Sequence, residues 1–253
     1  MIKKQRLLLP ILDIITLGIW GILLIQYWVS GELQLLIHPN YFALVLGTGI
    51  LLLVLAVLKA IQVIGQLPPR NPKTMPMMQH ISWFPPGWST GLLLATAILG
   101  LLVEPKVFTS QTAIQRGVME SLTATRTQPQ SFRSASKPEA RSLIEWIRTL
   151  SVYPEPDEYA GQAVNVKGFV VYPQNLSSNY LLVTRFVITC CAADAYPVSL
   201  PVKLPGNRQA YQPDNWIQVK GKMITETLQD KRQLVIEASE VKKVPEPDNP
   251  YYY

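Results

Sequence analysis

This sequence is poor in the residues that most often carry chemistry, with two cysteines and two histidines in 253 positions. Both histidines, His38 and His80, fall in the hydrophobic amino-terminal part, so the third and fourth ligands of a closed zinc site are missing near the cysteines. No histidine lies close enough in sequence to activate a thiolate, and no C-x-x-C occurs. These gaps leave no complete catalytic constellation, and the expectation is a protein that is not an enzyme. Charge is scarce through the first 103 positions, where the apolar residues crowd. No small-x-small cleavage site precedes the second apolar run, so the first reads as a retained helix and not a signal peptide. The net charge of +6 owes much to residues flanking these runs. It is therefore not read as a nucleic-acid signal.

The chain is rich instead in long hydrophobic helix. Crossing a hydrocarbon core of ~30 Å takes roughly 20 helical residues, and segments 7–29 and 41–64 are long enough. A third, 88–103, is shorter, with Trp83, Phe84 and Trp88 suited to an interfacial belt at its start. Lys3, Lys4 and Arg6 precede the first run, and Arg70 and Lys73 lie in the loop before the third. The loop of 30–40 holds Glu32 as its one fully charged residue. Basic loops stay inside, so the amino terminus is expected in the cytoplasm. With three spans, the carboxy-terminal domain is extracytoplasmic; with two, it is cytosolic.

The domain expectation is an anchor over 1–104, a flexible tether over 105–137 and a globular domain over 138–253. The prolines of Leu67–Pro76 predict an extended cytoplasmic loop. Residues 109–137 are rich in Ser, Thr, Gln and Arg, the composition of a chain that buries too little to order itself, with a helical patch near 114–122. From Pro138, at a first-turn position, Leu143, Ile144, Ile147 and Leu150 repeat at helical spacing. From Tyr159 the period becomes two, predicting five strands near 164–171, 180–189, 197–203, 216–225 and 233–241. Two carry the same phrase, Val166-Lys-Gly168 and Val219-Lys-Gly221, and a glycine inside a strand marks a bulge or a tight corner. The expected class is a membrane-anchored α plus all-β chain, two to three transmembrane helices followed by a small five-stranded barrel like the oligonucleotide/oligosaccharide-binding (OB) fold.

The two cysteines are neighbours, Cys190 and Cys191, in Arg185-Phe-Val-Ile-Thr-Cys-Cys-Ala-Ala-Asp194. Adjacent residues of a strand point to opposite faces, so both sulfurs face one ligand only if the strand ends by Thr189 and a turn comes next. A bridge between neighbours is strained, because their Cα atoms are ~3.8 Å apart and ordinary disulfides need roughly 4.4 to 6.8 Å. Three readings stay open. Cys190, Cys191 and Asp194 form a site for a soft or borderline ion such as zinc or copper(I), or for thiol exchange, with Arg185 and Thr189 shaping the turn. Alternatively one thiol is buried as a small hydrophobe while the other caps the turn, or the pair is catalytic.

Within the apolar runs, Asp13 and Lys59 lie at similar depths, and an intramembrane carboxylate normally faces a protein interior. An Asp13–Lys59 pair between the first two helices is the expectation, set against a Lys59 that snorkels to the interface. Gly18, Gly21, Gly47 and Gly49 permit close helix packing.

The string RFVITCCAADA of Arg185 to Ala195, continuing with Pro197-Val-Ser-Leu-Pro-Val202, resembles the signature of a bacterial family of permease subunits, the YcgQ-like family. So do Tyr159-Ala-Gly161, the Val166-Lys-Gly-Phe169 phrase, Trp216-Ile-Gln-Val-Lys-Gly221 and the ending around Asp248-Asn-Pro-Tyr251. The resemblance covers the chain from about residue 143 and implies a multi-spanning permease as partner in a bacterial cell membrane. It implies no established reaction and no ligand set. The resulting expectation is an accessory permease subunit with an extracytoplasmic OB-like domain bearing the cysteine site. Rival expectations are a membrane-tethered thiol redox protein or sensor, and a tethered nucleic-acid binder. The last is disfavoured because the strands show no dense aromatic and basic face.

Overall fold

A computed structural model describes residues 2–65, 87–118, 137–172 and 176–253, with side chains from residue 8 onward. The expectations for the 67–76 loop, His80, Trp83 and Phe84, and for the basic side chains of residues 3, 4 and 6, lie outside the described residues. The chain forms two compact units, Met1–Lys106 and Val107–Tyr253.

The first unit is helical. α1 (Ile2–Val29) and, after the short α2 (Leu33–Leu36) and a 3-10 turn at Pro39–Tyr41, α3 (Phe42–Gly65) are long and apolar enough to cross a membrane. They pack tightly where glycines meet. A Cβ on Gly21 would lie 2.9 Å from the Gly49 carbonyl oxygen, and one on Gly49 would lie 3.3 Å from that of Gly21, so small residues set the approach. Away from that seam α3 exposes Leu44, Ile50, Leu51, Val57 and Ile61, as a helix solvated by lipid does.

The third expected span is a helix, α4 (Trp88–Leu102), of 15 residues, or ~22 Å of rise. It runs parallel to α1. Thr90 bonds Asp13 at 2.8 Å, the Trp20 indole donates to the Leu93 carbonyl at 2.9 Å, and the Tyr27 hydroxyl donates to that of Gly100 at 2.5 Å. α3 is antiparallel to both, as the contacts Gly21 to Gly49 and Asp13 to Lys59 require.

The second unit is built on a mixed six-stranded sheet. β1 (Ala163–Val171), β2 (Tyr180–Val187), β3 (Tyr196–Lys203), β4 (Trp216–Leu228), β5 (Lys231–Lys243) and β6 (Tyr251–Tyr252) lie in the order β1-β4-β5-β3-β2-β6. An additional antiparallel pairing joins β1 to β2 over Phe169–Val171, so β1 is bonded on both sides. β3 and β5 are parallel, as are β2 and β6. Five strands were expected; the sixth is two tyrosines after a proline-rich stretch too short and irregular to alternate.

Both marked glycines sit where the sheet changes course. At Gly221 the β4–β5 register shifts, and a Cβ there would lie 2.0 Å from the Glu237 carbonyl oxygen. At Gly168, just before β1 begins to pair with β2 as well as β4, it would lie 2.5 Å from the Thr184 carbonyl oxygen. Any side chain at either point would drive the strands apart.

Alternating residues Val164, Val166, Leu181, Val183, Leu200, Val202, Ile217, Val219 and Ile236 form the core with α6 (Leu143–Val152), whose Leu143, Trp146 and Ile147 are buried. The helix starts later than the expected Pro138, which instead belongs to a 3-10 turn, Pro138–Ala140. A reciprocal capping box sets the start: the Glu145 carboxylate accepts from the Ser142 amide at 2.6 Å, and the Ser142 hydroxyl accepts from the Glu145 amide at 3.3 Å.

The expected flexible tether is ordered in its first part, because residues 107–118 pack on the sheet. Phe108 stacks near Phe186 and Tyr251, with ring centres 5.0 and 5.6 Å apart. In α5 (Ser110–Gln115) the first amide is bonded to the Asp214 carboxylate at 2.5 Å, and Ser199 donates to the Val118 carbonyl at 3.3 Å. Residues 119–136 of the tether, with the later half of the helical patch expected near 114–122, lie outside the described residues.

Candidate functional site

β2 ends at Val187, two residues before Thr189, and this releases the cysteines from the opposite-face rule of a strand. Ile188 remains buried and donates its amide to the Tyr252 carbonyl at 2.9 Å, fixing the point of departure. Cys190 is exposed, Cys191 is half-buried, and a 3-10 turn at Ala192–Asp194 leads into β3 at Tyr196. Small Ala192 and Ala193 let the backbone fold back sharply.

Asp194 organises the turn. One carboxylate oxygen, Oδ2, accepts from the Thr189 hydroxyl and, at 2.9 Å, from the Cys190 amide, while Oδ1 accepts from the Cys191 amide at 3.2 Å. Its own amide donates to the Cys191 carbonyl at 3.1 Å. The result brings two sulfurs 3.6 Å apart, with one carboxylate and two sulfur ligand atoms all within 4.8 Å of one another. Among the described residues this is the one such group of three or more His, Cys, Asp or Glu side chains.

The electrostatics are set by these bonds. The Cys190 thiol is pushed up to about 11, first by its hydrogen bond to Asp194 and then by that to Cys191. Burial raises the Asp194 carboxyl, but the Thr189 hydroxyl, the Cys190 thiol and the two backbone amides outweigh it, and the net shift is downward. Near neutral pH the site therefore holds a carboxylate beside a protonated Cys190 thiol. A thiol held this way is a poor nucleophile, the reverse of the depressed pKa that marks an activated cysteine. A metal ion, by contrast, displaces the thiol proton when it binds.

The Thr189 hydroxyl bonds within the turn to Asp194, whereas the Arg185 side chain reaches elsewhere. Its guanidinium points along the sheet to the tail, donating to the carbonyls of Asn249 at 2.7 Å, Pro250 at 3.2 Å and Tyr251 at 3.3 Å. It also stacks over Tyr252, 4.1 Å from the ring centre. These bonds clamp the two-residue β6 against β2. The basic residue that does hold the turn is Arg116, which donates to the Ala195 carbonyl and, at 3.3 Å, to that of Ala192, while stacking on Phe108 at 4.8 Å. Its place in a polar segment some 76 residues earlier gave no pattern by which to find it.

In the helical unit, Lys59 and Asp13 meet at 2.5 Å, each about a third exposed. The sequence did not point to the third member, Thr90, which donates to the other oxygen of Asp13 at 2.8 Å. His38 belongs to this unit, where its Nδ1 accepts from the Asn40 amide at 3.1 Å.

Comparison with known proteins places both units in one family. The DUF1980 N-terminal domain matches residues 12–119 and the DUF1980 C-terminal domain matches residues 139–253. A Bacillus subtilis protein named "UPF0703 protein YcgQ" is 29% identical over 105 residues, covering 41% of this chain and 36% of the relative. A Streptococcus mutans protein named "Putative two-component membrane permease complex subunit" is 31% identical over 105 residues, covering 40% of this chain and 37% of the relative. The matched stretch thus spans little more than a third of the length of each relative. No solved structure matches the chain.

Proposed function

From the premise that this chain belongs to the YcgQ-like DUF1980 family, we propose that it is a non-enzymatic accessory subunit of a membrane permease complex. The observation that carries this reading is the match to a Streptococcus mutans protein named as a permease complex subunit, in a chain that couples apolar helices to a rigid sheet bearing an exposed cysteine turn. Three helices with one satisfied ion pair are too few to enclose a pathway, so a multi-spanning partner supplies it. The cysteine turn is the working surface, taking a soft or borderline ion or meeting the partner. A thiol redox or sensor role is the weaker alternative, because the raised Cys190 pKa opposes thiolate chemistry.

The same proposal includes fold and sidedness. The pairings β1–β4, β4–β5, β5–β3, β3–β2 and β2–β1 close a ring of five strands, which supports an OB-like barrel with β6 added at its side. α4 runs parallel to α1 and carries Gly100 to the level of Tyr27, which supports three crossings in a bacterial cell membrane. With a cytoplasmic amino terminus, Val107–Tyr253 then lies outside the cytoplasm.

Two experiments test this. A tagged chain purified from its native membrane in mild detergent is expected to bring down a multi-spanning protein; a solitary, monodisperse protein overturns the subunit reading. A membrane-impermeant maleimide is expected to label Cys190 in intact cells, and labelling that requires permeabilisation overturns the sidedness.

A further inference from the structure

We propose that the cysteine turn takes zinc(II), in place of copper(I), as an exchangeable cargo ion held by Cys190, Cys191 and Asp194 with its fourth ligand supplied from outside the turn. This rests on the reading of the turn as a metal site and adds which ion it takes and how firmly it holds it.

The separation of the sulfurs selects the ion. With zinc–sulfur bonds of ~2.3 Å, sulfurs 3.6 Å apart subtend an angle of roughly 103° at the metal, close to tetrahedral. A linear two-coordinate copper(I) site with bonds of similar length would hold them ~4.6 Å apart, further than the 3.6 Å at which they stand. The third ligand points the same way. A carboxylate oxygen belongs to the zinc ligand set and not to the soft set that copper(I) prefers.

The carboxylate also has a position to give. It offers about four lone-pair directions, and the Thr189 hydroxyl and the amides of Cys190 and Cys191 occupy three, two of them on Oδ2. The remaining direction takes the hydrogen bond of the Cys190 thiol, and it falls to a metal that displaces that proton. The sulfur and oxygen atoms lie within 4.8 Å of each other, against roughly 3.5 Å in a tetrahedral site built with the same bond lengths, and a side-chain rotation closes that gap. Binding is a plain exchange in which two sulfur–zinc bonds and one oxygen–zinc bond replace bonds from zinc to water, the thiol protons and the displaced waters pass to solvent, and no electron moves.

The missing ligand makes the ion exchangeable. Structural zinc sites are closed by four protein ligands, whereas an open fourth position takes water or a ligand that comes and goes. Here the turn supplies three ligands, and Cys190 is exposed. Among the described residues no fourth His, Cys, Asp or Glu joins the group to close the shell. A three-ligand site at the surface of a permease subunit is suited to loading and release.

The test uses the full chain in detergent micelles, titrated with cobalt(II) as a spectroscopic stand-in for zinc, then with zinc as competitor and, separately, with buffered copper(I). The expected result is one cobalt per chain with thiolate charge-transfer and tetrahedral-type bands, displaced by zinc and lost in Cys190→Ser. Thr189→Val should weaken zinc binding roughly 10- to 100-fold, as loss of a supporting hydrogen bond to a ligand does. A soluble chelator should strip the ion within seconds and leave the fold intact. Binding of copper(I) without zinc overturns the choice of ion and leaves the metal-site reading standing. Zinc that resists the chelator, or whose removal unfolds the domain, overturns the exchange. No binding of either ion overturns both this inference and the metal-site reading.

Discussion

Replacing Tyr251 should loosen the whole end of the sheet from which the cysteine turn leaves. Its ring is 2% exposed, sits 5.6 Å from Phe108 and 6.4 Å from Phe186, and its hydroxyl accepts the Phe108 amide at 3.0 Å. Truncating a buried aromatic ring to alanine costs ~3–5 kcal/mol, and the lost hydrogen bond adds about 1 kcal/mol. Against a domain stability of roughly 5–15 kcal/mol, Tyr251→Ala removes a large fraction. Tyr251→Phe keeps the ring and should cost only about 1 kcal/mol. Hydrogen exchange of the β2 amides, measured on the full chain in micelles, reads these values directly when exchange reports the opening equilibrium. At ~1.4 kcal/mol per tenfold, Tyr251→Ala should speed exchange about a thousandfold and Tyr251→Phe about fivefold. A Tyr251→Ala chain whose β2 exchange stays within about threefold of the parent, or two variants equally damaged, would deny that the ring holds this end together. The same residue sets an alkaline limit. Burial pushes its hydroxyl up to about 12, so its contribution is complete below the ordinary tyrosine pKa of ~10 and is lost as the pH rises toward the folded value.

Asp194→Asn should lower the Cys190 pKa from about 11 toward the ordinary thiol range, because the Asp194 bond is the largest cause of the rise; the midpoint of alkylation rate against pH should fall, and an unmoved midpoint would refute the assignment. The Glu226 carboxylate accepts from Tyr180 at 2.5 Å and pairs with Lys203. Burial raises its pKa, but the Lys203 and Tyr180 bonds dominate and lower it. Its stabilisation is therefore present above the ordinary glutamate pKa of ~4.3 and lost as pH falls through the lower folded value; Glu226→Gln should flatten the acid limb of a urea-midpoint profile. In the helical unit, Asp13→Leu or Lys59→Leu alone should lower the melting temperature in detergent, since each strands a charge, while the double variant should recover most of the loss. Equal losses in single and double variants would contradict the pairing.

Of the five long strands, β1, β4 and β5 were legible from stretches that alternate between core and solvent, and β2 and β3 from short β-rich runs buried almost throughout. The repeated Val-Lys-Gly phrase marked the close approaches at Gly168 and Gly221. The turn at Thr189–Asp194 was legible too, as small and acidic residues after a strand. β6 was not, because two residues cannot display a period and its stability comes from Arg185 and from burial of one ring. The start of α6 was misjudged because proline was weighed above the Ser142 and Glu145 capping box, which was plainly in the sequence. Residues 107–118 read as tether because the half-buried Phe108 and the buried Ala113 and Val118 are scattered among polar residues, and the backbone and guanidinium bonds that complete the seat leave no trace in hydropathy. Thr90 escaped for a similar reason, since a threonine in an apolar helix takes its meaning only from the carboxylate beside it.

The parallel seat of β6 on β2 bears on how the domain is made. Arg185 must wait for the carbonyl of Pro250, 65 positions further along the chain, and β1 must wait for β4 to satisfy Ala163 through Phe169. Sheets assembled from such distant partners fold slowly, in milliseconds to seconds. During synthesis the flank of β2 is thus bare for longer than the rest, and an unpaired strand flank invites association with other chains. Quality control acting on this protein would recognise that flank first, and variants that weaken the Arg185 clamp would be depleted by proteolysis before any loss of activity could be measured.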